Sequence, residues 1–338
     1  MIFYVEAHQG SGAGYREVNG LGKTLYIVVP CYNEADVLHD TARQLEDKIK
    51  HLVSNGIVSN AGKVVFIDDG SHDKTWDIIE SLCAQNNMYA GVKLSRNSGH
   101  QNALLAGLMS VKGEVDIVIS IDADLQDDVN AIDKMVDEYY NGCDIVYGVR
   151  GDRQSDGFFK RTTAQGYYKL LRLFGCDIVY NHADYRLMSA KALQALSEYS
   201  EQRIFLRGLM PMLGFKTAII QYSRGLREAG ESKYPLKRML RLAFDGLFSL
   251  SLKPLRMVFV VGALMLITAF LILLYAVVNL NTGQQTFSLR LIMFSIWAVG
   301  GILTLSLGII GEYVGRTYIE SKRRPRYDIE RTQGLRNC

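Results

Sequence analysis

Two aspartates, Asp122 and Asp124, stand one residue apart directly after the apolar run 117–121. Side chains alternate along an extended chain, so both carboxylates are predicted to project to the same side, with Gln126 beside them if the extension continues. Such oxygen ligands suit Mg²⁺ or Mn²⁺, hard ions that keep open positions for substrate phosphates. A D-x-D pair also occurs in ordinary surface turns, but its position at a strand end favours a metal site made of these three residues.

Two further predicted strand ends carry polar side chains. Pro30 lacks a backbone donor and is predicted to stop the first strand, which leaves Tyr32 and Glu34 at the mouth of the sheet. An aromatic ring beside a carboxylate suits a pocket for a base and its ribose. The next strand ends at Asp68, which is therefore another candidate ligand.

The polar residues that follow this second strand are predicted to have a structural role. Asp69, Ser71 and Asp73 are expected to cap the next helix, because short oxygen-bearing side chains accept hydrogen bonds from the first N–H groups of a helix. Ligand binding by these three residues is the less favoured alternative.

Short β-branched runs that alternate with helical stretches must position these loops. Strands are predicted at 24–29, 63–68, 89–94, 115–122 and 144–149. Such alternation implies crossover connections and a mainly parallel sheet, in which ligands collect at the carboxyl ends of the strands. Neither G-x-x-x-x-G-K-[ST] nor G-x-G-x-x-G occurs, so neither a P-loop ATPase nor a dinucleotide-dependent dehydrogenase is supported.

The composition argues against several other classes. The chain has 338 residues, and its 48% hydrophobic and 22% charged content suits an α/β domain with an appendage rather than a disordered chain. A net charge of +3 is too small to indicate a nucleic-acid partner. The five cysteines are scattered without a C-x-x-C pair, which argues against a zinc site and favours a reducing compartment.

Two uncharged apolar runs occur at 257–278 and 291–311. At about 1.5 Å per residue a helix of this length covers the ~30 Å hydrocarbon core of a bilayer, so both runs are predicted to span the membrane. Two buried helices of a soluble core are the less favoured alternative. The connector carries only Arg290 whereas the outer flanks are rich in lysine and arginine, which predicts cytoplasmic termini. Segment 235–254 is predicted to be an amphipathic helix at the headgroup level, the alternative being a core helix.

The chain is therefore predicted to have five parts. They are a flexible leader at 1–22, a cytoplasmic α/β domain at 23–234, an amphipathic juxtamembrane helix at 235–254, a two-helix transmembrane domain at 255–312 and a cytoplasmic basic tail at 313–338. Such an arrangement predicts a multi-pass protein of the inner (cytoplasmic) membrane.

Several motifs occur in the same order as in one known family. They are VVPCYNE, FIDDGSHDKT, LSRNSGHQNALLAGL, SIDADLQD, HADYRLMS and REAGESKYPLKRML, followed by the two apolar runs and GEYVGRTYIESKRRPRY. Over residues 25–327 the chain resembles the polyisoprenyl-phosphate glycosyltransferases of glycosyltransferase family 2. The bactoprenol glucosyltransferases are the most similar group, and dolichol-phosphate mannose synthase is more distant. The resemblance implies a GT-A nucleotide-sugar fold for the α/β domain.

The resemblance also implies roles for individual residues. The family's nucleoside pocket corresponds to Pro30, Tyr32, Glu34 and Asp68. Its metal and diphosphate site corresponds to Asp122, Asp124 and Gln126. A D-F-R element beside the sugar and the acceptor corresponds to Asp184, Tyr185 and Arg186, with Tyr in place of Phe. A loop that closes over the phosphates corresponds to Arg224, Arg227, Ser232 and Lys233. His100 and His182 lie near these motifs but are predicted to be structural.

The acceptor that the resemblance implies is undecaprenyl phosphate. A phosphomonoester, with a second pKa near ~6, is largely dianionic at neutral pH, so a strong general base is unnecessary. A metal ion on Asp122 and Asp124, helped by Arg227 and Lys233, is expected to stabilise the departing nucleotide diphosphate. The expected catalytic residues are Asp122, Asp124, Asp184 and Arg186. The expected contacts of the acceptor phosphate are Arg153, Lys160, Arg161, Arg186, Arg224 and Ser232.

The expected reaction is inverting transfer of one sugar from a UDP-sugar to this lipid at the cytoplasmic face, for cell-envelope glycan modification. Glucose is the favoured sugar and N-acetylglucosamine the alternative. A processive polysaccharide synthase is disfavoured because a Q-x-x-R-W element is absent, and a non-catalytic nucleotide-sugar binder because the acidic and basic motif residues are present. The resemblance also implies a homo-tetramer, contact with membrane lipids, and a flippase and a downstream glycosyltransferase as partners.

Overall fold

The structure is a computed structural model. It describes residues 5–6, 22–124, 126–150, 182–201, 205–222 and 285–335. The chain divides into two compact units. The first comprises Met1–Tyr168, Asp177–Pro235 and Pro325–Cys338, and the second comprises Lys169–Cys176 and Leu236–Arg324.

The described part of the first unit is an alternating α/β domain. Its strands are β1 (Val5–Glu6), β2 (Leu25–Cys31), β3 (Lys63–Asp68), β4 (Tyr89–Leu94), β5 (Ile117–Ser120), β6 (Ile145–Arg150), β7 (His182–Ser189), β8 (Thr217–Tyr222) and β9 (Ile329–Gln333). Its helices are α1 (Leu38–Ser54), α2 (Thr75–Gln85), α3 (His100–Ser110), α4 (Ala131–Tyr140), α5 (Ala190–Ser197) and α6 (Leu206–Met212). All five predicted strands are confirmed, with shifts of a few residues at their ends.

These strands form one sheet in the order β1-β8-β6-β7-β5-β2-β3-β4-β9. Neighbouring strands run parallel, except that β7 is antiparallel to both β5 and β6 and β9 is antiparallel to β4. The predicted α/β class with a mainly parallel sheet is confirmed. Because β7 runs backwards, its first residues lie beside the carboxyl ends of β5 and β6, where ligands collect in such sheets.

Both faces of the sheet are covered, which explains why the central strands read as continuous apolar runs. In β2, Ile27 and Val29 face one cluster while Tyr26 and Val28 face the other. Helices α1, α2 and α4 pack on the first face. Helices α3, α5 and α6 pack on the second. This packing holds the loops at the carboxyl edge on a rigid base.

The prediction that Pro30 stops the first strand is wrong. Strand β2 runs on to Cys31 and stays paired with β3 through Pro30. On its other side β2 pairs with β5 only as far as Val28, which accepts a hydrogen bond from the N–H of Ile121. Pro30, two residues on, faces the same side, so its missing N–H costs no bond of the ladder.

The division into a leader at 1–22 and a basic tail at 313–338 stays a prediction, and the structure adds regular elements within both. A helix of the second unit, α7 (Gln285–Ser321), continues past residue 312, and β9 forms an edge strand of the sheet. Contacts across the edge hold β9, including Lys93 Nζ to Glu330 Oε1 at 3.2 Å. Within the leader, Val5 and Glu6 pair with β8.

Of the predicted membrane segments, 235–254 and 257–278 lie outside the described residues. The run 291–311 lies within α7. Among the residues that the structure describes, no helix combines the length and the apolar character needed to cross a membrane.

Candidate active site

The carboxylates of the D-x-D pair lie in a turn rather than on an extended strand. Strand β5 ends at Ser120, and the chain turns at Ala123 and Asp124. The N–H of Gln126 donates to Asp124 Oδ1 at 3.3 Å, a side-chain turn that a short carboxylate favours. The prediction that Asp122 and Asp124 lie on an extended chain is therefore wrong, and the condition under which Gln126 would join them is not met.

Asp122 is nevertheless placed among other charged groups. Burial raises the pKa of its carboxyl to about 6; His100 opposes this rise, and the negative charges of Asp184, Asp127 and Asp124 reinforce it. Its Oδ1 atom is buried and finds no hydrogen-bond partner among the described residues. His100 Nε2 lies 3.7 Å from that oxygen. Asp122 therefore lies where a bound cation would stabilise its charge.

Asp184, at the start of β7, is the centre of a hydrogen-bond cluster. Its Oδ2 accepts from Gln101 Nε2 at 3.2 Å and lies 3.2 Å from His100 Nε2. Arg207 approaches side-on, with Nε 3.4 Å from Oδ1 and Nη2 3.2 Å from Oδ2. Arg186 donates from Nη2 to Oδ1. We call His100, Gln101, Asp184, Arg186 and Arg207 the Asp184 cluster.

The cluster fixes the charge of Asp184. Burial alone would raise the pKa of this carboxyl, but the hydrogen bond from His100 and the charges of Arg207 and Arg186 hold that pKa well below its usual range. Burial lowers the pKa of His100, yet its bond to Asp184 and the negative charges of Asp122 and Asp184 give a net rise. Asp184 is therefore ionised and fully engaged as an acceptor.

Arg186 was expected to contact the acceptor phosphate, which requires an accessible guanidinium, but in this structure it is buried. Its side chain is 1% exposed, and its Nε and Nη1 atoms find no hydrogen-bond partner among the described residues. Arg186 sits on β7 between Ser120 and Tyr147 of the neighbouring strands. In this structure it reaches the site through Asp184, and its direct contact with an acceptor stays a prediction.

Two members of the cluster, Gln101 and Arg207, were not singled out in the sequence. His100 was predicted to be structural, and that role stays a prediction. His100 begins α3 after Gly99, whose φ of +89° is a conformation that glycine tolerates best. The chain separations from Asp184 are 84 residues for His100 and 23 for Arg207, so spacing alone gives no signal.

The predicted nucleoside pocket lies at the ends of β2 and β3. Tyr32 exposes 41% of its surface there, next to the edge of the His72 ring. Asn33, with a φ of +56°, receives a hydrogen bond at Oδ1 from the N–H of His72 and donates its own N–H to Ser71 Oγ, both at 2.9 Å. The two loops are thereby joined, and Tyr32 is presented on a fixed base.

Asp68 and its neighbours divide between ligand and structural positions. Asp68 is fully buried, burial raises the pKa of its carboxyl, and its Oδ2 has no hydrogen-bond partner among the described residues. Asp73 accepts the N–H of Thr75, the first residue of α2, from the position before the N-cap residue Lys74, which itself makes no side-chain cap bond. Asp69 instead accepts the N–H groups of Ser98 and Gly99, which fixes the loop that carries His100.

The remaining predicted site residues lie outside the described residues. They are Arg153, Lys160, Arg161, Arg224, Arg227, Ser232 and Lys233.

Comparison with known proteins assigns the chain to a family. The model of the family described as "Glycosyl transferase family 2" matches residues 26–197, from β2 through α5. The chain belongs to glycosyl transferase family 2. Its α/β domain has a GT-A-like glycosyltransferase fold. The chain is a glycosyltransferase.

Relatives within family 2 match over nearly the whole chain. An uncharacterized glycosyltransferase of Bacillus subtilis, YkoT, is 44% identical over 90% of this chain and 91% of its own length. A prophage bactoprenol glucosyl transferase homolog of Escherichia coli is 34% identical, covering 91% of this chain and 98% of the relative. The bactoprenol glucosyl transferase of Shigella phage SfV is 34% identical, covering 90% and 97%.

A family 2 enzyme of this kind is expected to use a divalent cation, and the residues present fit one. Among the described residues no group of three or more His, Cys, Asp or Glu side chains is arranged to hold a metal. Asp122 and Asp124 supply two carboxylates, however, and the buried Oδ1 of Asp122 lacks a hydrogen-bond partner within the same described part of the chain. Mg²⁺ and Mn²⁺ need only one or two carboxylates when substrate phosphates complete the shell.

Proposed function

We propose that this glycosyltransferase moves one glucose residue from UDP-glucose to undecaprenyl phosphate, with inversion at the anomeric carbon. A phosphate oxygen of the lipid forms the new bond to the anomeric carbon as the bond to UDP breaks. Family membership and the names of the relatives from Escherichia coli and Shigella phage SfV support this proposal.

The observation that carries the proposal is the engaged state of Asp184. A sugar hydroxyl would need a carboxylate able to take up its proton during attack. Asp184 accepts bonds from Arg186, Arg207 and other donors, and its pKa lies well below the usual range, so it is a poor base. A phosphate acceptor loses no proton on attack, because a phosphomonoester is already largely dianionic at neutral pH. The cluster therefore suits a phosphate acceptor better than a hydroxyl.

The other end of the site serves the leaving group. When bound by Asp122 and Asp124, a divalent cation neutralises charge on the departing diphosphate. Asp122 lies close to His100, which in turn contacts Asp184, so the same imidazole touches both ends of the site. The nucleoside is proposed to lie against Tyr32, with Asp68 at the adjoining strand tip.

The proposal places the α/β domain at the cytoplasmic face of the inner membrane, with the runs 257–278 and 291–311 as its membrane segments. Its support is the sequence alone, in which both runs are long and uncharged, because the described residues include no helix found able to cross a membrane. On α7, large apolar side chains such as Ile296, Leu303 and Leu307 are exposed, as lipid contact would require. A tetramer, a flippase and a downstream glycosyltransferase stay predictions.

The test is direct transfer by the purified full chain. The protein is incubated with undecaprenyl phosphate, with Mg²⁺ or Mn²⁺, and with UDP-glucose, UDP-N-acetylglucosamine or UDP-galactose in separate reactions. The mass of the lipid product is then measured by mass spectrometry. One hexose per lipid from UDP-glucose, in the β configuration by NMR, is expected. A ladder of added sugars, transfer from UDP-N-acetylglucosamine alone, or an unmodified lipid would contradict the proposal.

A further inference from the structure

Arg207 presents the exposed cationic face of the Asp184 cluster. Its side chain is 39% exposed, whereas that of Arg186 is 1% exposed, although both contact the same carboxylate. Arg207 lies in the first turn of α6, whose neighbours Leu206 and Leu209 are buried in the core. The backbone under Arg207 is further fixed because the N–H of Leu206 donates to Gln101 Oε1 at 3.2 Å.

The charges of the cluster do not cancel. One carboxylate, Asp184, lies between two guanidinium groups, so the three side chains carry a net charge of about +1 because arginine stays protonated. Arg186 is enclosed, whereas the guanidinium of Arg207 reaches the solvent. Nε and Nη2 of Arg207 contact Asp184 side-on, and these two contacts fix the plane of the guanidinium group. A guanidinium carries five N–H donors in all.

The site therefore has a negative end and a positive end. Asp122 and the carboxylates near it make one end negative, and His100 contacts both Asp122 and Asp184. Arg207 follows on from Asp184 and makes the other end positive. A reaction between a diphosphate donor and a phosphate acceptor needs a cation at each anion. The negative end attracts a metal ion for the diphosphate, which leaves the positive end for the second anion.

We propose that Arg207 binds the acceptor phosphate directly, and that Asp184 acts as the positioning residue that holds its guanidinium in place. This inference rests on the proposed function and adds to it a described residue that contacts the acceptor. An arginine fixed side-on by a carboxylate is well suited to grip a phosphate, because little side-chain freedom remains to be lost on binding.

Binding of the lipid can be tested without turnover. The probe is undecaprenyl phosphate in detergent micelles, titrated into the purified full chain without donor, with undecaprenol as the uncharged control. In Arg207→Ala the dissociation constant for undecaprenyl phosphate is expected to rise about 10- to 100-fold. Arg207→Lys keeps the charge but loses the planar fork, so partial recovery is expected. Arg43→Ala, at an exposed arginine of α1 that pairs with Asp40, is the matched control and leaves binding unchanged.

Donor binding and kinetics separate this role from a merely structural one. UDP binding in the presence of Mn²⁺ stays unchanged in Arg207→Ala, and the KM for the lipid rises while the KM for the donor does not. Unchanged lipid affinity, an equal loss of UDP and lipid binding, or wild-type binding of undecaprenol as tight as that of its phosphate would overturn the assignment. A wild-type protein that binds undecaprenyl phosphate through Arg207 but transfers no sugar would refute the proposed function and leave this assignment standing.

Discussion

Tyr222 donates a hydrogen bond of 2.6 Å from its Oη to Asp127 Oδ1, and both side chains are buried. Tyr222 is the last residue of β8, while Asp127 follows the turn that carries Asp122 and Asp124. The ring of Tyr185 packs edge-on against that of Tyr222 at 5.3 Å. The bond therefore ties the carboxylate turn to a strand that lies 95 residues further along the chain.

Removing that bond should loosen the carboxylate turn. Tyr222→Phe removes one hydrogen-bond donor from the buried Asp127 carboxylate, which should lower the free energy of unfolding by about 1–3 kcal/mol. The affinity for UDP with Mn²⁺ should fall as well, because Asp122 and Asp124 lose their fixed position. Calorimetry measures the affinity and thermal unfolding the stability.

Tyr26→Phe serves as the matched control for this variant. Tyr26 also donates from a buried ring to a carboxylate, Glu114 at 3.4 Å, at the opposite end of the sheet. It should leave UDP affinity unchanged. Equal effects of the two variants on UDP affinity would show that the Tyr222 bond has no special relation to the site.

Asp124→Ala should abolish transfer while the protein stays folded. The loss of one of two metal-binding carboxylates is expected to lower the rate at least ~100-fold, because charge stabilisation of the leaving group depends on it. The measurement is the mass of the lipid product across a range of Mn²⁺ concentrations. Asp47→Ala, at an exposed aspartate of α1, is the control. Full turnover by Asp124→Ala would remove this residue from the metal site.

Asp184→Asn should destabilise the domain as well as inactivate it. The substitution leaves the buried charge of Arg186 without its counter-ion, and breaking a buried pair costs about 3–5 kcal/mol. Unfolding by denaturant measures this loss. Asp40→Asn, which breaks the exposed pair with Arg43, should cause no measurable change. A variant as stable as the wild type would show that Arg186 does not depend on Asp184.

The pH dependence of transfer should follow the acceptor rather than Asp184. The Asp184 carboxyl, with its pKa held well below the usual range, stays ionised from pH 5 to 8. The lipid phosphate, in contrast, takes up a proton near pH ~6 and becomes a poorer nucleophile. The rate should therefore be level above neutrality and decline as the pH falls through that value.

A phosphonate analogue of the acceptor provides the control for this profile. Its second pKa differs from that of a phosphate ester, so the acidic limb of the rate profile should move with it. The pKa of Asp122 is raised to about 6 in the absence of a cation. If the acidic limb of the rate profile lies at the same pH for both acceptors, the titrating group is the Asp122 carboxyl rather than the acceptor.

The central fold could be predicted because burial on both faces makes the strands read as short apolar runs. The tips of those strands then indicated Asp68, Asp122 and Asp124. Sequence reasoning failed where tertiary pairing overrides a local rule. Pro30 continues a strand because one side of β2 is unpaired there, and Asp124 lies in a turn because β5 ends at Ser120.

The least predictable features depend on contacts between distant segments. Strand β7 enters between β5 and β6 in the antiparallel sense, which simple alternation of strands and helices does not indicate. It brings Asp184 to His100 and Arg207, which come from separate helices. Strand β9 has few apolar residues and therefore reads as a solvated tail.

The late position of β9 has a consequence for biosynthesis. Lys93 and Glu330, which pair across the last two strands of the sheet, are 237 residues apart. A ribosome that adds about 5–20 residues per second needs roughly 10 to 50 s to make that stretch. Throughout this interval β4 is an open edge with unpaired N–H and C=O groups, an arrangement that invites aggregation. The nascent α/β domain therefore emerges with one edge unprotected, and synthesis of β9 closes it.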